Sequence, residues 1–138
     1  MNSMKKLGFM LLFSIFSITA FAGKPIQVSE LPADAQVLLN THFTSIKVAN
    51  VVKDFDDGSV EYEVRLVDGT EIDFNSKGVW QNISMPRGKA VPQAIIPKGV
   101  VDYLKSNGIN SEVEELSRER RGFFEVELID GTELRLKG

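Results

Sequence analysis

The chain of 138 residues contains no cysteine. That excludes a disulfide framework, a thiolate nucleophile, zinc sites built on sulfur and a lipid-anchoring thiol. It contains one histidine, His42. A lone histidine cannot build the common zinc sites, and no serine elbow or His-based triad motif accompanies it. His42 reads instead as a partly exposed residue on a helix's last turn, where a cation is favoured. Excess positive charge is missing too. Sixteen Lys and Arg stand against 19 Asp and Glu, a formal charge of −3. Nonspecific nucleic-acid binding relies on many Lys and Arg contacts to phosphate, so this composition argues against it. Beyond the N-terminus no apolar run approaches the ~20 residues that span a bilayer.

What the N-terminus does have is an address. Lys5-Lys6 forms a basic start, Leu7–Thr19 is an uncharged apolar run, and Ala20-Phe21-Ala22 fits a small-x-small cleavage site. The pattern is that of a secretory signal peptide over Met1–Ala22, cut after Ala22. The mature chain, 23–138, then carries a charge of −5, since both leader lysines are lost. The expected location is the periplasm or the exterior, with no membrane attachment after cleavage.

The rest is organised around a repeat. Glu61–Phe74, EYEVRLVDGTEIDF, returns as Phe123–Leu136, FFEVELIDGTELRL, without a gap. Val60, Tyr62, Val64 and Leu66 alternate with charged residues, as in a half-buried strand, and Ile72 and Phe74 resume the pattern after a turn. Parity selects the loop. A two-residue Asp68-Gly69 turn would set Val64 across from Asp73 and mix the faces. A three-residue loop, Val67-Asp68-Gly69, pairs Val64 with Ile72 and Tyr62 with Phe74. Its glycine falls where φ must be positive. Ser76-Lys77-Gly78 and Ile129-Asp130-Gly131 have the same form. The first of these pairs Phe74 with Trp80 and turns the single tryptophan to the core face.

The remaining elements follow. Gly23–Glu30 reads as a flexible lead-in. Ser29 and Pro32 open a helix over Pro32–His42, with Leu31, Ala35, Leu38, Leu39 and Phe43 as its apolar stripe. Ile46–Phe55 is a β-rich strand of mixed period, and Val79–Ile83 a fourth strand. Ser84–Pro92 is a linker. A second helix follows Ile96-Pro97 and stops at Asn107-Gly108, and Glu112–Arg118 is a weaker strand. The fold class is therefore α+β: a tandem repeat of helix plus antiparallel β-meander, about 29–83 and 94–138, in one domain. The second copy lacks a fourth strand. It either makes do with three strands or is covered by another segment, and an open edge could pair with another chain.

Three groups of residues could carry function. Asp54, Asp56 and Asp57 resemble a calcium loop, but the EF-hand register fails: Gly58 falls fifth and Arg65 twelfth. Ser117–Gly122 makes the matching turn basic, which suits a solvated tip or an electrostatic contact. The outer sheet face carries Glu61, Glu63, Arg65, Glu71 and Asp73, then Glu125, Glu127, Glu133, Arg135 and Lys137. In the derived register Arg65 faces Glu71 and Glu125 faces Arg135. Glu63 faces Asp73 and Glu127 faces Glu133, which is unfavourable. Such a face is either simply solvated or meets a basic partner. Paired carboxylates also serve acid–base hydrolases, but in clefts rather than on open faces.

The exported chain, the two Leu/Ile-Pro helix starts and the stretch YEVRLVDGTEIDFNSKGVW together resemble the PepSY-like, beta-lactamase-inhibitor-like family of secreted bacterial proteins. The resemblance implies helices packed on one face of an antiparallel sheet, similar to beta-lactamase inhibitory protein. It implies a binding or inhibitory role and supplies no catalytic residues. The expectation is a non-enzymatic, exported module, without a cofactor or a metal, that binds another exported protein or peptide. Its candidate contacts are Glu61, Glu63, Arg65, Glu71, Asp73 and Trp80. The alternative is an envelope protein that binds a small ligand or calcium through Asp54, Asp56 and Asp57.

Overall fold

The computed structural model describes residues 23–138, so the leader read over Met1–Ala22 lies outside the described residues. The elements run β1 (Lys24–Pro25), α1 (Ala33–His42), β2 (Val48–Asp56), β3 (Ser59–Leu66), β4 (Glu71–Phe74), β5 (Trp80–Ser84), α2 (Lys98–Ser106), β6 (Val113–Arg118), β7 (Phe123–Leu128) and β8 (Glu133–Lys137). All eight strands form one antiparallel sheet in chain order, β1 to β8. Among the described residues the fold class is α+β, with one such sheet and two helices.

The three expected loops form, each with apolar partners on one face. Tyr62 pairs with Phe74 and Val64 with Ile72. The Leu66 amide donates to the Thr70 carbonyl at 2.9 Å, and Gly69 has a φ of +98°. Asp68 Oδ1 accepts the Thr70 amide at 2.9 Å, and Asp130 Oδ1 accepts the Thr132 amide at 2.9 Å. That bond explains why each loop reads Asp-Gly-Thr: the carboxylate holds the turn and the glycine takes the left-handed backbone. The loop at Gly78 closes through Asn75, whose Oδ1 accepts the Lys77 and Val79 amides. Further bonds recur in both halves. Val67 donates to the Lys47 carbonyl and Ile129 to the Glu112 carbonyl, each at 2.9 Å. Register shifts fall between Val48 and Asn50 in one half and between Val113 and Glu115 in the other.

One core lies on one side of the sheet. Val51, Val64, Ile72, Phe74, Ile83, Leu116, Val126 and Leu128 point into it, and Leu31, Ala35, Leu39 and Phe43 from the α1 segment and Val100 from α2 close it. Both helices therefore pack on the same face. Gly78 sits against the start of α1: a Cβ there would lie 2.8 Å from Pro32 Cβ and 3.0 Å from the Ala35 nitrogen. The halves join where β5 pairs with β6. Arg118 seals this seam, with its guanidinium 4.4 Å from the Trp80 ring centre and 5.1 Å from that of Phe124, and its Nε–H donating to the Trp80 carbonyl at 3.1 Å. The basic tip thus does contact the other half, through an aromatic ring and a carbonyl rather than through acids.

Three local expectations are corrected. The lead-in is ordered: Lys24 and Pro25 pair with β2, and Ile26 donates to the Val51 carbonyl at 3.0 Å. Ser29 does not cap α1, because 28–30 form a separate 3-10 turn and the extended Pro32 takes the cap position. The 84–92 linker is pinned to β6: Met85 and Val91 donate to the Glu114 and Val113 carbonyls, and Val91 is buried.

Candidate functional site

The face opposite the helices is set by the same strand alternation that builds the core. Following the paired residues across β3 to β8 gives two rows. One runs Glu63, Asp73, Asn82, Ser117, Glu125, Arg135; the other runs Arg65, Glu71, Ser84, Glu115, Glu127, Glu133. Small polar residues occupy the seam between the halves, where Ser117 Oγ donates to Asn82 Oδ1. Carboxylates flank it on both sides. Over the second half the face forms a hollow of about 360 Å³, lined by Glu115, Ser117, Glu125, Glu127, Glu133 and Arg135 among others.

The electrostatics are one-sided. Burial among the neighbouring strands pushes Asp73 up to about 7, with Glu63, Glu71 and Glu61 adding repulsion and Arg65 opposing it. Burial also raises Glu115 to about 7, and Glu127, Glu114, Glu71 and Glu125 add to the shift. Glu63 is raised for the same reasons, burial first and then Glu71. Cations in the two rows are few. Arg65 forms an ion pair with Glu71 and reaches Glu63 at 3.8 Å. Arg135 stands opposite Glu125 in register. Its guanidinium nevertheless turns to Glu119 and stacks on Phe123, 4.2 Å from the ring centre.

Five of the six candidate contacts, Glu61, Glu63, Arg65, Glu71 and Asp73, share this face. Trp80 does not. It is 9% exposed on the helix side and packs on Phe124. A bulge at Gln81 separates Trp80 from the outward Asn82, and the seam buries the ring. Glu115 is the residue the sequence reading missed. Of the acids proposed for calcium, Asp54 lies across from Glu61, and its Oδ1 accepts the amide of Phe55. Asp57 occupies the β2–β3 turn with a φ of +49°. Among the described residues no group of three or more His, Cys, Asp or Glu side chains is placed to hold a metal ion.

Fold and face of the described residues define a class: an α+β protein of one antiparallel sheet, covered by two helices on one side and bearing a carboxylate-rich surface on the other. The chain belongs to the PepSY-like family, whose profile is described as "Putative beta-lactamase-inhibitor-like, PepSY-like" and matches residues 60–138. Solved structures agree. A protein described as a "putative periplasmic protein" of the DUF2874 family, from Bacteroides vulgatus, is 32% identical, with a TM-score of 0.76 over 82% of this chain and 87% of that one. A Bacteroides thetaiotaomicron protein described as a "putative calcium-regulated periplasmic protein" is 34% identical, with a TM-score of 0.76 over 84% and 90%. A second B. vulgatus protein, described as a "putative periplasmic protein of unknown function", is 32% identical, with a TM-score of 0.76 over 83% and 91%. The comparison with curated proteins gives no match. No helix among the described residues is long and apolar enough to cross a membrane.

Proposed function

We propose that this chain is an exported, non-enzymatic binding module whose open sheet face receives a basic segment of another exported protein. The observation that carries the reading is geometric. Glu115, Glu127 and Glu133 stand side by side on three adjacent strands, and Glu63 stands beside Asp73, on a surface that no helix among the described residues covers. Like charges placed directly opposite destabilise a sheet, so a face that keeps them accepts a folding cost that a cationic partner would relieve. Glu115, Glu127 and Glu133 line the hollow over the second half, a concave acidic patch that suits a cationic side chain. Export is supported by the leader pattern and by the periplasmic description of the relatives. Inhibition of an exported enzyme is the narrower form of this reading, and it follows the family's description. The recurring loops, bulges and cross-links of the halves support their origin as two copies of one helix-and-meander unit.

Calcium is the second reading, favoured by the calcium-regulated description of the B. thetaiotaomicron relative. Isothermal titration separates the two. An oligolysine peptide should bind at pH 8 in about 50 mM NaCl and release in about 500 mM, where the screening length falls severalfold below the span of the face. Asp73→Lys/Glu115→Lys should abolish the binding. Heat on adding calcium chloride, with none from the peptide, would favour the second reading instead.

A further inference from the structure

The two edges of the sheet are built differently. β1 has two residues, one of them Pro25, which lacks an amide hydrogen. Short length and proline are the usual protections of an edge. β8 has five residues, no proline, and no register shift against β7. No strand lies beyond it among the described residues.

Its free backbone groups can be assigned from the ladder. The Leu128 amide donates to the Thr132 carbonyl, and the Gly138 amide donates to the Gly122 carbonyl. Alternation then turns the main-chain groups of Leu134 and Leu136 toward β7 and those of Glu133, Arg135 and Lys137 outward. The Lys137 carbonyl is partly covered, because Gly99 of α2 sits directly over it. The groups open to a new strand are chiefly those of Glu133 and Arg135, which carry opposite charges.

We infer that β8 is a self-pairing edge and that a second copy of this chain adds to it antiparallel, centred on Leu134. This register puts Glu133 opposite Arg135 of the second copy, and Arg135 opposite its Glu133. It brings each Arg135, which also holds Glu119 of its own copy, beside Glu133 of the other, and makes four main-chain hydrogen bonds from the outward groups and one Leu134–Leu134 contact at the two-fold axis. Such an isologous arrangement closes on itself. Neighbouring registers are worse. Centring on Arg135 opposes two guanidinium groups and calls on the covered Lys137 carbonyl, and centring on Leu136 opposes Arg135 and Lys137. The paired copies would hold sixteen strands in one sheet. The Glu115–Glu133 hollow, which lies at this edge, would meet its symmetry mate.

Sedimentation equilibrium of the mature chain tests this without reference to any other partner. Wild type should show a reversible dimer between about 10 μM and 1 mM, the weak range expected of a small interface. Glu133→Arg and Arg135→Glu, both at exposed side chains, should each weaken dimerisation by about tenfold or more, because each opposes like charges twice. The double swap should restore it to within about threefold, since the pairs re-form with reversed sign. Arg135→Pro removes an outward amide without touching the β7 ladder, and it too should give a monomer. A wild-type chain still monomeric at 1 mM, or a dimer indifferent to Glu133→Arg and Arg135→Pro, overturns the inference.

Discussion

Removing the charge of Asp73 should stabilise the protein, and only where that charge exists. Asp73 is carried from an aspartate's ordinary 3.8 to about 7, first by burial and then by Glu63, Glu71 and Glu61. A carboxyl that holds its proton more tightly when folded makes the folded state the better proton binder between about pH 4 and 7. Its contribution to stability therefore falls as pH rises through that window and is level above it. A shift of about three units corresponds to a ceiling of about 4 kcal/mol at pH 8. Screening and relaxation at a partly solvated face reduce this by about half, to about 2 kcal/mol. For a chain of this size that is a rise in Tm of about 8 °C. Asp73→Asn should show it by thermal unfolding at pH 8, and should show no more than about 0.5 kcal/mol at pH 4, where folded Asp73 is already neutral. The comparison of mutant with wild type cancels the titrating groups that do not interact with Asp73; Glu63 and Glu71, which do, gain from the lost charge in the same direction. An equal gain at both pH values, or a loss at pH 8, would refute the reasoning.

Other substitutions probe the scaffold. Glu115→Gln should repeat the Asp73 pattern, stabilising at pH 8 and not at pH 4, because burial and its acidic neighbours raise it to about 7. Gly78→Ala should cost about 1–3 kcal/mol in urea unfolding, since its φ of +85° strains a side chain and the new methyl meets Pro32 and Ala35. Phe74→Ala should cost about 3–5 kcal/mol, because the ring is fully buried at the centre of the core. Arg118→Ala should cost about 1–2 kcal/mol and shift Trp80 fluorescence, as the guanidinium stacks on that ring and bonds its carbonyl. An unchanged emission maximum would count against that stacking.

Much of the fold was legible because strand parity has so few solutions. Once Val64 and Ile72 had to share a face, the three-residue loop, the glycine and the neighbouring register followed. What escaped were the places where parity breaks. Bulges near Ala49, Gln81 and Glu114 each add a residue, so Trp80 and Ile83 are both buried three apart, as are Val113 and Leu116. Simple alternation cannot assign Glu115 across such a bulge. That is why the most strongly shifted acid of the second half was missed while Glu63 and Asp73 were found. Pairing of β5 with β6 was equally hidden, since it joins segments separated by a helix. It also buries Trp80, read onto the core face yet offered as a contact, in the seam. The edge at β8, by contrast, was visible in the second half, where no segment corresponds to Val79–Ile83.

The acidic face as a binding surface is most directly tested by titrating a short basic peptide into the 15N-labelled mature chain and following the amide resonances. The account predicts shifts clustered at Glu63, Asp73, Glu115 and Glu125, lost in high salt, while the Trp80 indole stays still. Shifts centred on α1, α2 or the Trp80 indole, or none at about 1 mM peptide, a level that would detect even a weak complex, would contradict it.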